Sequence, residues 1–85
     1  MEHYSIHALR REFIGKECEV KGKNVHGTII DETKNTFIIQ TKNNARRIGK
    51  RDNAFIIDFR DQKIEIPGQQ IMLRPEDRIK IRKWK

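Results

Sequence analysis

Arg46, Arg47, Lys50 and Arg51 fall within the six residues RRIGKR, four positive charges in one short stretch. Guanidinium groups match phosphate oxygens bidentately, and several cations held together give a salt-sensitive affinity for a nucleic-acid backbone. Neighbours on a strand point to opposite faces, so of Arg46 and Arg47 one can face a partner while the other pairs with an acid. A second basic run ends the chain, where Arg78, Lys80, Arg82, Lys83 and Lys85 surround Trp84 and Arg74 lies just upstream. The tryptophan can stack on a base, or pack on the domain or on a partner protein. A third candidate is Lys34 in DETKNTFII (31–39). Asp31 can accept hydrogen bonds from the turn's backbone and Asn35 suits a left-handed, loop-closing position, so the turn accounts for both. It does not require Lys34.

Other chemistry finds little support. His3 and His7 are four apart and could share a helix face around a metal, but no cysteine or further histidine lies near them in sequence. The acids mostly neighbour basic residues, as in Arg51-Asp52, Arg60-Asp61 and Arg74 to Arg78, a pattern of ion pairs and not of an acid/base dyad. No glycine loop is built to cradle a phosphate, and no nucleophile has a recognisable setting. No catalytic residue and no metal site are therefore expected. Cys18 is the single cysteine, so no internal disulfide forms, and within ECEV it reads as a small buried strand residue.

These side chains must be positioned by short elements. In IHALRREFIG, Ile6, Leu9, Phe13 and Ile14 fall near one face, predicting a helix over 6–14 with Ser5 at its start and Gly15 at its end. Its apolar stripe must dock on the domain or on a partner. After Gly15 the pattern is of strands: KECEVK, a tight turn at GKN, VHGTIID, TFIIQTK, a turn at Asn43-Asn44, ARRIGK, AFIIDF, the turn RDQ and KIEIPG. Gly27 suggests a bulge or sharp bend inside its strand. QQIML reads as a last short strand, broken by Pro75. RIKIRKWK fits either an edge strand or a tail ordered by its partner. The expected architecture is one mainly β domain over 1–85: an N-terminal helix, a small antiparallel barrel of five to six strands over 16–73, and a basic tail over 74–85.

Bulk composition agrees. Eighty-five residues suffice for one modest core, and 35% hydrophobic against 36% charged residues suits a β-structure whose alternate positions face water. No apolar run approaches membrane-spanning length and the N-terminus lacks a secretory signal, so a cytoplasmic protein is the default expectation. The net charge of +7 is uneven: residues 1–45 carry seven basic residues against six acids, and residues 46–85 twelve against six. That one-sided excess fits a polyanionic partner. With few aromatics, recognition should lean on phosphates and shape, as for folded RNA.

The order of landmarks EFIGKECEV, GTIIDETKNTFII, RRIGKRDNAFIIDF, KIEIPGQQI and LRPEDRIK resembles archaeal ribonuclease P protein component 1 over about residues 7 to 82. IDETKNT and LRPEDR carry most of the specificity. The resemblance implies an Sm-like barrel and a non-catalytic subunit of the ribonucleoprotein that removes the 5′ leader from precursor tRNA. Its RNA subunit would hold the catalytic Mg2+. It also implies pairing with a small zinc-ribbon subunit, for which Ile6, Leu9, Phe13 and Trp84 are the expected contacts. Lys34, Arg46, Arg47, Lys50, Arg51, Arg74, Arg78, Lys80 and Arg82 are the expected RNA contacts. The absence of the long N-terminal extension of eukaryotic relatives points to an archaeal source. Two departures stand out: the loop between the first two strands is cut to KGKN, and the family's Ile-Pro-Lys appears as Ile48-Gly49-Lys50.

Two other readings compete. Asp31 to Asn35 resembles the Asp-x-x-x-Asn loop of Sm proteins, which would make the chain an RNA-binding module of another assembly. The second Sm motif is missing and LRPEDR stands in its place, which argues for a monomer in isolation and against a self-assembled ring. A ribosome-associated or protein-binding barrel is the third reading.

Overall fold

Alternating burial is written into almost every strand of this chain. The computed structural model describes residues 2–3, 12–60 and 62–79. Seven strands form one sheet: β1 (Glu2–His3), β2 (Glu17–Val20), β3 (Val25–Glu32), β4 (Thr36–Gln40), β5 (Ala45–Gly49), β6 (Ala54–Phe59) and β7 (Gln62–Pro67). A 3-10 turn (Gly68–Ile71) and a short helix α1 (Pro75–Ile79) follow. The order across the sheet is β1-β7-β6-β2-β3-β4-β5. Strands β2 to β7 pair antiparallel, and β1 joins β7 in parallel, Glu2 opposite Ile64. The mainly β, antiparallel architecture is as the sequence predicts, with β2 to β7 falling on the six expected segments.

Inward positions build the core: Cys18 and Val20 from β2, Val25 and Ile29 from β3, Phe37 and Ile39 from β4, and Phe55, Ile57 and Phe59 from β6, with Ile64 and Ile66 from β7. All four phenylalanines of the chain are buried. Phe13 tilts against Phe37 and Phe59 at centroid separations of 5.9 and 6.0 Å, and Phe37 meets Phe55 edge-on at 4.9 Å. Such geometries place a positive ring edge on a negative ring face.

Several expectations need correction. Phe13, predicted to contact a partner, lies wholly inside this core. Residues 12–14 are not helical; the Lys16 amide donates to the Phe13 carbonyl at 3.1 Å, and Gly15 turns the chain at φ 93°. The rest of the predicted helix, with Ile6 and Leu9, lies outside the described residues. QQIML is not a strand, because Gln69–Ile71 belong to the 3-10 turn. Pro75 does not merely break structure. It opens α1, where a missing amide hydrogen costs nothing.

The bulge is not at Gly27. Ile29 faces Ile39 but Asp31 faces Ile38, which leaves Ile30 as the extra residue. Alternation on β3 therefore changes phase: Ile30 and Asp31 are both exposed and Glu32 is turned inward. Gly27 serves another purpose, since a Cβ there would lie 2.0 Å from the Gln40 carbonyl oxygen. Asn35 does not adopt a left-handed conformation either; among the described residues only Gly15 and Gly22 have positive φ.

Two predictions follow from the packing. A Cβ on Gly68 would lie 1.6 Å from the Lys50 carbonyl oxygen, so Gly68→Ala should cost about 3 kcal/mol or more in urea denaturation. Gly22→Ala, strained only by φ 75° in open space, should cost about 1 kcal/mol. An unchanged midpoint for Gly68→Ala would refute the close approach. Burial, reinforced by the Glu19 and Glu17 carboxylates, pushes the Cys18 thiol from 9.0 up to about 12. The folded chain should thus resist a thiol reagent at pH 8 and react once unfolded. Because the unfolded thiol ionises first, the stability due to Cys18 is complete below pH 9.0 and is lost as pH rises towards about 12.

Candidate nucleic-acid interface

Ile48 faces inward and Gly49 outward, so the next residue, Lys50, is carried inward again. Its side chain is fully buried. The Nζ donates to Glu32 Oε2 and to the Thr33 carbonyl at 2.8 Å each, to the Ile71 carbonyl at 2.9 Å and to the Leu73 carbonyl at 3.1 Å. It also lies 4.9 Å from the Phe37 ring centroid. An ammonium has three protons, so four acceptors leave none of them unused. Lys50 is thus not an RNA contact. The bulge at Ile30 is what brings its counter-ion, Glu32, to face it.

The two most distinctive stretches of the sequence meet at this ammonium. In IDETKNT, Asp31 Oδ1 accepts the Glu32 amide, Glu32 supplies the charge and Thr33 a carbonyl. The Thr36 amide donates to the Thr33 hydroxyl at 3.0 Å. The Lys50 amide donates to the Asn35 carbonyl at 2.8 Å, so one residue ties the turn at both ends. In LRPEDR, the Leu73 carbonyl accepts from Lys50, Arg74 reaches Asp77 Oδ2 at 3.1 Å, and Glu76 and Asp77 occupy the favourable first turn of α1. The ion pair expected between Arg74 and its neighbouring acids is present.

Outside the core, charge is divided. Across the outer face of β2, β6 and β7 run Glu17 beside Asp58 and Glu19 beside Ile56 and Glu65. Lys21 is bound to Glu65 there at 2.8 Å, and His26 lies 3.9 Å from Glu17. Lys63, opposite Asp58, is exposed on the same face, which carries four carboxylates against two lysines and is net acidic. Exposed cations gather instead around β4 and β5. Lys34 and Arg51 share one end, joined through the Lys50 contact to Asn35. Arg46, opposite Ile39, lies near the other end with Lys42. Arg47, opposite Ile38, is exposed on the outer side. The RRIGKR run is therefore spread along a strand. The backbone of Arg78 lies in α1, whereas Lys80, Arg82 and Trp84 fall outside the described residues.

The sequence reading missed Lys42 and the role of Glu32. A signal for the first was available: TKNN (41–44) repeats the TKNT of residues 33–36, and in both the threonine hydroxyl accepts the amide three residues on. Among the described residues no group of three His, Cys, Asp or Glu side chains is placed to hold a metal.

Geometry thus defines a small antiparallel β domain with one acidic face and a basic margin, its C-terminal segment pinned by a buried lysine. The chain belongs to the family described as Ribonuclease P/MRP, subunit p29, whose model matches residues 7–81. It is similar to proteins named ribonuclease P protein component 1. The protein of Methanosphaera stadtmanae is 42% identical over 79 residues, 85% of each chain. That of Archaeoglobus fulgidus is 33% identical over 81 residues, 88% of this chain and 79% of its own. That of Methanocaldococcus jannaschii is 33% identical over 79 residues, 85% of this chain and 83% of its own.

Removing the ammonium tests its place in the structure. Lys50→Met leaves Glu32 buried without its counter-charge and should cost about 3–5 kcal/mol in urea denaturation. Adding Glu32→Gln should recover part of that and not all, since the Thr33, Ile71 and Leu73 carbonyls still lack their donor. A loss below about 1 kcal/mol for Lys50→Met would contradict the buried arrangement.

Proposed function

We propose that this chain is a protein subunit of ribonuclease P that binds the RNA subunit through the basic margin around β4 and β5 and supports removal of the 5′ leader from precursor tRNA. The observation that carries the reading is membership of the subunit p29 family over residues 7–81, with relatives named ribonuclease P protein component 1. The charge division supports it physically: cations at the ends of one hairpin suit a phosphate backbone, while the net acidic face of β2, β6 and β7 disfavours approach from that side. In this reading the RNA subunit holds the catalytic Mg2+, and the chain's residues bind and hold shape. A zinc-ribbon subunit of the same particle, a monomeric isolated chain and a cytoplasmic setting complete the proposal.

The test is reconstitution of precursor-tRNA cleavage from the RNA subunit and its protein partners, with and without this chain. The chain should raise the cleavage rate or lower the magnesium requirement. Unchanged activity and requirement, together with no co-purification of the particle RNA, would refute the assignment.

A further inference from the structure

The turn at 41–44 differs from its twin at 33–36 in one respect that bears on function. Lys50 ties the carbonyls of Thr33 and Asn35, so the backbone of that turn is engaged by the core. The turn at 41–44 is closed by its own groups in the same way but without a contact to Lys50: the Thr41 amide donates to the Asn44 carbonyl at 2.8 Å, and the Thr41 hydroxyl lies 2.8 Å from that carbonyl and 3.0 Å from Asn44 Oδ1. Facing it is the β2–β3 turn, set by Gly22 at φ 75° and by the Lys23 amide donating to the Val20 carbonyl at 3.1 Å. Between the two turns runs an open groove lined by Asn24, His26, Lys42, Asn43, Asn44 and Arg46.

The lining is chemically selective. It contains two permanent cations and three carboxamides and no carboxylate, although the neighbouring outer face is rich in acids. Its one ring is the His26 imidazole, and no row of rings is present to stack successive bases. A carboxamide offers both donor and acceptor, the complement of a hydroxyl that is both. In RNA the 2′-hydroxyl is such a group, repeated beside every phosphate and absent from DNA. Both walls are short, internally bonded turns, so the backbone that carries these side chains is set before a ligand arrives.

We infer that this groove seats one sugar–phosphate strand of RNA, with Lys42 and Arg46 on its phosphates and the amides of Asn24, Asn43 and Asn44 on its 2′-hydroxyls. The inference rests on the RNA-binding reading above and extends it by locating discrimination of RNA from DNA at residues outside the RRIGKR run, apart from Arg46.

The experiment compares the full chain and two variants for binding to a ribonuclease P RNA transcript, and to an RNA hairpin and a DNA hairpin of the same sequence, over a salt series. Asn24→Ala with Asn43→Ala removes exposed amides and leaves the turn-closing Asn44 in place. It should weaken RNA binding about fivefold, leave DNA binding unchanged and keep the salt slope. Lys42→Ala with Arg46→Ala should weaken both about tenfold and reduce the slope by about 1.5. Thermal melts matching the parent chain certify that the variants fold. If both variants bind RNA and DNA as the parent does, the groove is not the contact. In that event a loss on replacing Lys34 and Arg51 preserves the wider RNA-binding reading, whereas a parent chain that binds no RNA and leaves cleavage unaltered removes that reading too.

Discussion

A single ammonium inside a mostly apolar interior is the constraint on which the rest of this structure depends. Lys50 must meet Glu32 and three backbone carbonyls, because an unpaired buried charge would cost more than a domain of this size can spare. To meet them, β3 needs its bulge, the 33–36 turn must offer a carbonyl outside its own hydrogen bonding, and residues 71–73 must fold back over the end of β5. Gly68 is held to the same geometry, since the chain passes the Lys50 carbonyl where only a hydrogen fits. The conspicuous polar letters of IDETKNT and LRPEDR are in good part the two halves of one socket.

That socket changes how the surface charge is understood. One member of the RRIGKR run is spent internally, and the others point apart along β5. The outer face of β2, β6 and β7 carries more carboxylates than lysines, so a phosphate backbone meets less repulsion on the β4–β5 side. The net charge of +7 understates this separation because it averages over both faces.

Strand positions and the burial of Cys18 were legible because period-two alternation and short turns are local properties. The places where reading failed depend on contacts distant in sequence. Lys50 belonged to a basic run and was assigned outward, although its parity with Ile48 pointed inward; only Glu32, eighteen residues away, explains a buried charge there. Phe13 fitted a helical stripe, but the rings of Phe37 and Phe59 claim it for the core. The bulge was assigned to the glycine, while the extra residue is Ile30, whose sequence carries no mark of it. Asn35 looked like a left-handed closer because the Thr33 hydroxyl's part in the turn could not be foreseen. Strand β1 escaped notice at two residues, too short for alternation to register.

The acceptors around Lys50 come from residues 32–33 before it and 71–73 after it, so they cannot be gathered by any one stretch of chain. Water can leave the ammonium only when both groups have arrived, which makes its dehydration a late event in folding. The same order run backwards means that loosening the segment after β7 readmits water to the centre of the domain. Interactions completed late chiefly slow unfolding. The buried lysine is therefore a clasp between distant parts of the chain, and its hold on residues 71–73 adds to the persistence of the assembled domain.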